Sequence, residues 1–172
     1  MTNVSRLWAH LPGALHGLSD LMGETTRAGS LTFRQRAVLV TAAAAALRDS
    51  YCSMAWGRKL AEVSSPEVAA AVIEGGTQGL DDDERALVNW ARLIAHDPNA
   101  ISVEDVDALR QVGFDDGQIF AITTFVSLRL AFAAVNDALG TVPDRELYDA
   151  APKQVRSAVT FGRLPSFGRE TE

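Results

Sequence analysis

The most informative stretch of the chain is residues 31–60, which read LTFRQRAVLVTAAAAALRDSYCSMAWGRKL. Thr32 precedes Gln35 by three residues, which is the spacing of a capping box and predicts that a helix begins here. The following residues, 37–47, are almost entirely apolar and include five consecutive alanines. Because a helix that is apolar on every side must be buried on every side, this segment predicts a central helix with close neighbours.

Similar helix signals recur along the rest of the chain. Ser65 followed by Pro66 is typical of an N-cap and a first-turn proline, and Gly113 stands where a helix would end. Convincing alternating strand patterns are absent. The sequence therefore predicts an all-α helical bundle, with helices near 12–27, 32–48, 50–63, 66–75, 82–96, 103–112 and 116–139.

The last of these helices is apolar nearly all round, like the helix at 37–47. A chain of 172 residues has limited room for two such helices in its own centre. We therefore expect the helix at 118–139 to pack also against another subunit, so that the protein is a homo-oligomer. Arg129 interrupts this helix, and a buried guanidinium needs a partner. It is either an anchor for a substrate carboxylate or a member of an intersubunit salt bridge or solvated edge, and the latter is more common for arginine.

The chain divides into a helical domain at 1–145 and a C-terminal tail or docking arm at 146–172. The stretch 159–168 has no helical period and contains Phe161 and Phe167. It is either a disordered end or an arm that docks its two phenylalanines on a neighbour.

Composition and charge exclude several classes of protein. A single cysteine excludes an intrachain disulfide, and a formal charge of −6 gives no basic surface for nucleic acid. The N-terminus is a poor signal peptide, and the apolar stretches are too short or too interrupted for a membrane span of about 20 residues. The single cysteine leads us to expect a reduced, cytoplasmic protein. The three histidines form no metal motif, so we expect no metal and no other cofactor.

Residues 31–60 resemble the core of the AhpD-like, or carboxymuconolactone decarboxylase, family. In that family a capped helix beginning Leu-Thr-x-x-x-Arg-Glu leads to the motif Cys-x-Tyr-Cys-x-x-Ala-His. The pattern Asp-x-x-x-Leu-Arg-x-x-Gly-Phe at 105–114 also follows the family layout. The resemblance covers about residues 5–145. It implies an AhpD-like helical bundle that forms trimers or hexamers and acts on a hydroperoxide or another small organic molecule.

The resemblance also implies a working set of one glutamate, two cysteines and one histidine. The matching positions here are Ala37, Asp49, Cys52 and Trp56, so only the attacking cysteine is retained. Without a second thiol the usual disulfide cycle cannot run. The resemblance then implies a one-cysteine peroxidase that uses Cys52 and is resolved by an external thiol. The alternatives are a cofactor-independent lyase or decarboxylase and a non-catalytic oligomer that binds a ligand.

Each residue of this candidate site also has a structural explanation. If Cys52 lies in the first turn of a helix, the helix dipole favours its thiolate, whereas a nearby Asp49 carboxylate raises the pKa of the thiol. The alternative is that Cys52 is a small buried residue that only fills space in the core. Asp49 is either a carboxylate of the pocket or the N-cap of the helix. Tyr51 and Trp56 line an aromatic substrate pocket, which Arg129 completes, or else they pack in the core.

Overall fold

The structure, a computed structural model, describes residues 1–165, and over this range it contains helices and no strand. The α-helices of the described range are α1 (Asn3–Trp8), α2 (Pro12–Ala28), α3 (Phe33–Ala46), α4 (Ser50–Val63), α5 (Pro66–Ile73), α6 (Asp82–His96), α7 (Val103–Gln111), α8 (Asp116–Ala138), α9 (Arg145–Ala150) and α10 (Lys153–Ala158).

The seven helices expected from the sequence correspond to α2 through α8, and the prediction of an all-α fold is confirmed. Three helices were not expected. α1, α9 and α10 have six residues each, which is too short to show a helical period in the sequence. They form because packing against longer helices supports segments that are not stable alone.

α3 is the central helix, as its composition predicts. The Thr32 side chain accepts a hydrogen bond from the backbone of Gln35, and the Gln35 side chain accepts one from the Thr32 N–H, which completes the capping box. Every residue from Ala37 to Ala44 is buried. α3 contacts α4, α5, α6 and α8, and its small side chains allow this close approach from several sides.

α8 is buried on one side and open on the other. Ile122, Phe125 and Val126 pack into the core, whereas Phe120 is 73% exposed and Leu139 is 65% exposed. By length and composition α8 could span a membrane, so the expectation that its polar residues rule out a span is not confirmed. The core helix of a soluble protein passes the same test. An uncovered apolar face supports the expected contact with another subunit, which stays a prediction.

The C-terminal stretch packs on the chain to which it belongs. α10 lies against α4 and α5, and Val155 and Phe161 join the hydrophobic core. The segment that we expected to form a tail or docking arm thus begins as part of the same core. Phe167 and the rest of 166–172 lie outside the described residues.

Candidate functional site

The site begins at the N-terminus of α4. Asp49 is the N-cap, and its Oδ1 accepts a hydrogen bond of 2.9 Å from the backbone N–H of Cys52. The carboxylate is wholly buried, and its second oxygen, Oδ2, has no hydrogen-bond partner within the described chain. Asp49 therefore caps α4, and this position brings its carboxylate beside the single thiol.

Burial, the Asp49 carboxylate and the Arg129 guanidinium all affect the pKa of the Cys52 thiol. Cys52 is only 3% exposed. Burial raises the pKa of the thiol above its ordinary value, and the neighbouring Asp49 carboxylate raises it further. The guanidinium of Arg129 opposes both, with its Nη2 at 3.9 Å from Sγ. The balance leaves the resting thiol protonated, because burial and Asp49 together outweigh Arg129 and the helix dipole.

Arg129 is held among sulfur atoms and aromatic rings. Its guanidinium lies 3.8 Å from the Met22 sulfur and 5.1 Å from the ring centres of Trp56 and Phe132. Its Nε is buried and has no hydrogen-bond partner among the described residues. Within residues 1–165 it forms no ion pair, so the reading of Arg129 as an anchor for a carboxylate remains open.

Arg129 also lines a cavity of about 220 Å³, whose lining does not include Cys52. Its lining combines two arginines with aromatic, thioether and hydroxyl groups, and includes Met22, Thr26, Arg36, Trp56, Phe125 and Arg129. A much smaller space, of about 10 Å³, is lined by Cys52, Arg129 and Leu130 among other residues. Arg129 is therefore shared by the cavity and by the small space beside the thiol.

The residues predicted for a substrate pocket are only partly brought together. Trp56 and Arg129 line the cavity, whereas Asp49 and Tyr51 do not. The Tyr51 hydroxyl donates a 3.0 Å hydrogen bond to Asp144 instead. Burial, reinforced by this carboxylate, raises the pKa of Tyr51. Tyr51 thus ties α4 to the start of α9.

The comparisons with known proteins bear on the fold. A solved structure of the alkylhydroperoxidase AhpD core, an uncharacterized peroxidase-related protein from Ralstonia eutropha, superposes with a TM-score of 0.75. It is 24% identical, and the match covers 86% of this chain and 79% of that one. This chain has an AhpD-like fold. No family model and no curated protein matches the sequence. The expectation drawn from residues 31–60 is thereby confirmed at the level of the fold.

Two cations near this candidate site were not singled out from the sequence. The Arg36 guanidinium lies 5.2 Å from the ring centre of Phe33, and the Lys59 ammonium lies 4.1 Å from that of Trp56. Each cation follows its aromatic partner by three residues on one helix, which places the pair on one face. The spacing could have predicted each cation–aromatic pair. It could not have predicted that α3 and α4 meet at one cavity, because that depends on how the helices pack.

A second acidic group near the thiol was also missed. Burial first, and then the Asp49 carboxylate, raises the pKa of Asp137 to about 6. Asp137 in turn contributes to the raised pKa of Cys52. Its neighbour Asn136 is fully buried and accepts a 2.8 Å hydrogen bond from the indole N–H of Trp8. The thiol of this AhpD-like fold therefore sits between two carboxylates and one guanidinium.

Proposed function

We propose that this protein is a one-cysteine thiol peroxidase of AhpD-like fold, with Cys52 as the attacking thiol and a small external thiol as the reductant. The observation that carries the proposal is the contact of 3.9 Å between Sγ of Cys52 and the guanidinium of Arg129, which has no ion pair in the described chain. A nearby cation stabilises a thiolate. The similarity of the fold to a peroxidase-related protein supports the same reading.

Oxidation of Cys52 needs only the thiol and the hydroperoxide, and an external thiol then restores Cys52. The Cys52 thiol first gives up its proton to solvent. The thiolate then attacks the terminal oxygen of the hydroperoxide, the O–O bond breaks, and the alkoxide takes up a proton from solvent to leave as an alcohol. Cys52 is thereby oxidised to a sulfenic acid. One external thiol condenses with it and releases water, and a second thiol then attacks the mixed disulfide and restores Cys52. Arg129 stabilises the attacking thiolate, and the external thiols replace the missing second cysteine.

The second candidate is a non-catalytic protein that binds a small ligand. Its support is the burial of Cys52 and the lack of an ionisable side chain at Ala37 and Trp56. A lyase has less support, because the residues lining the cavity beside Trp56 include no carboxylate and no imidazole to act as a base. In both of these readings Cys52 contributes packing rather than chemistry.

Hydroperoxide consumption separates the thiol reading from the other two. Wild type and Cys52→Ser are compared with an organic hydroperoxide and an excess of small thiol. Ser53→Ala is the matched control, because it changes the adjacent buried position and leaves the thiol in place. We expect turnover by wild type and Ser53→Ala and none by Cys52→Ser. Equal consumption by Cys52→Ser, or none by wild type at any pH from 7 to 10, would falsify the peroxidase proposal.

A further inference from the structure

The surroundings of Trp56 carry positive charge in a chain that is acidic overall. Arg129 stacks on the indole at 5.1 Å, Lys59 lies over it at 4.1 Å, and Arg36 lines the same cavity. The chain as a whole has a formal charge of −6. Within residues 1–165 none of these three cations forms an ion pair. The positive charge at this place is therefore met by no carboxylate at ion-pair distance in the described part of the protein.

This arrangement is costly without an anion. The Nε atoms of Arg36 and Arg129 are both buried, and neither has a hydrogen-bond partner in the described chain. Burial, and next the repulsion of Arg129, lowers the pKa of Lys59. Both arginines are half-buried residues. Since buried polar atoms of charged groups are normally paired, two guanidinium groups with unpartnered buried Nε atoms at one cavity indicate a place for an external negative group. Asp49 attracts Arg129 but does not reach ion-pair distance.

The cavity walls indicate what the negative group is attached to. Trp56, Phe125 and Met22 supply flat and polarizable apolar surface, and Thr26 supplies a hydroxyl. The volume of about 220 Å³ exceeds the roughly 150 Å³ that holds a benzene molecule in an engineered cavity. A guanidinium is suited to bind a carboxylate with two parallel hydrogen bonds. A single ring or short branched chain with one carboxylate meets these conditions.

We infer that this cavity is a binding site for a small organic monocarboxylate, held by Arg36 and Arg129 with its apolar body against Trp56 and Phe125. The site does not depend on oxidation of Cys52, so it goes beyond the proposed peroxidase activity. It is compatible with either of the candidate functions, since the cavity that would hold the carboxylate is lined by Arg129 but not by Cys52.

Thermal stability measures the binding directly. The full chain is heated with benzoate, with benzamide as the neutral analogue of the same shape, and with inorganic phosphate. We expect benzoate at about 100 times its Kd to raise the Tm by about 5 °C, because a ligand that binds only the folded state stabilises it. Benzamide and phosphate are expected to raise it by less than about 1 °C, since each lacks one of the two features that the cavity recognises.

Variants connect the effect to the cavity. Arg36→Met and Arg129→Met remove one charge each and should reduce benzoate affinity at least about tenfold by isothermal calorimetry. Arg6→Met removes an exposed charge on α1 and is the matched control, with affinity unchanged. Benzoate binding is measured in the absence of any hydroperoxide and needs no oxidation of Cys52, so failure of the peroxidase would leave this result intact. No benzoate binding at millimolar concentration, or an equal response to phosphate or benzamide, would overturn the inference.

Discussion

At the scale of single residues, the reactivity of Cys52 depends on opposing charges. Asp49 is the N-cap of α4 and accepts a hydrogen bond from the Cys52 N–H, so one carboxylate orders the helix and also disfavours the thiolate. Arg129 acts in the opposite direction from α8. The thiol therefore stays protonated unless the pH rises or the negative charge of Asp49 is removed.

Replacing Asp49 separates its two roles. Asn is as good an N-cap as Asp, so Asp49→Asn keeps the helix but removes the negative charge. We expect the pKa of Cys52 to fall, and the rate of alkylation by iodoacetamide at pH 8 to rise several-fold. Arg129→Met should move the pH profile the other way, to higher pH. A profile that is the same in both variants and wild type would show that neither charge acts on the thiol.

Asp137 gives a prediction about stability and pH. Its folded-state pKa of about 6 is above the ordinary value of 3.8, so the folded state favours the protonated form. The stabilisation from this group is complete below its ordinary pKa and is lost as the pH rises through about 6. Asp137→Asn should therefore stabilise the protein at pH 7, by less than about 1 kcal/mol because the group is partly exposed, and have little effect at pH 4. Urea unfolding at the two pH values measures the difference. A larger effect at pH 4 than at pH 7 contradicts the assignment.

At the scale of helices, α4 is positioned by a close approach to its neighbours. Gly57 lies on α4 where an added Cβ would stand 2.9 Å from the Ile73 side chain and 3.0 Å from that of Val155. The lack of a side chain at Gly57 therefore allows α4, which carries Cys52 and Trp56, to pack closely against α5 and α10. A methyl group at this position would force the end of the Ile73 side chain to move and would crowd Val155.

Two glycine-to-alanine changes test this packing. Gly57→Ala should destabilise the protein by about 1–3 kcal/mol, because the methyl group overpacks a full interface. Gly17→Ala on α2 is the matched control, since nothing lies within 4 Å of its added Cβ, and it should stabilise by about 0.5–1 kcal/mol. Chemical denaturation measures both. If Gly57→Ala is neutral or stabilising, the helices are not in the described contact.

What the sequence could show about the helices depended on their length. The caps and apolar periods of α2 through α8 were strong enough to place each helix, and residues 31–60 were enough to predict the AhpD-like fold. The six-residue helices α9 and α10 carry no such period and owe their structure to packing on α4 and α5. The segment after residue 145 therefore looked like a tail until its buried Val155 could be seen.

The same distinction applies to the candidate site. Cys52, Trp56 and Arg129 were predictable because each departs from a local pattern: a lone thiol, an indole at a histidine position, and a charge in an apolar helix. Arg36 and Asp137 were not, because their importance comes from contacts between helices that are distant in sequence. Tyr51 was grouped with Trp56 by proximity in sequence, but its hydroxyl is bonded to Asp144.

At the scale of the whole molecule, the open side of α8 bears on assembly. Phe120 and Leu139 are both more than half exposed in the single chain, at 73% and 65%. We expect the protein to be larger than a monomer at micromolar concentration by sedimentation velocity, with α8 at the contact. Phe120→Ser should shift the distribution toward monomer. Leu11→Ser removes a leucine that is 65% exposed outside α8, and it should not. A stable wild-type monomer contradicts the expected oligomer.

The intact mass of the chain is the most direct test of the proposed peroxidase. The protein has one cysteine, so a thiol-reversible oxidation can occur at Cys52 alone. Wild type is treated at pH 8 with one equivalent of organic hydroperoxide, without reductant, and weighed by mass spectrometry before and after addition of a small thiol. We predict the gain of one oxygen atom, its removal by the thiol, and neither change in Cys52→Ser. An unchanged mass in wild type, or an added oxygen that the thiol cannot remove, would show that Cys52 is not a peroxidatic residue.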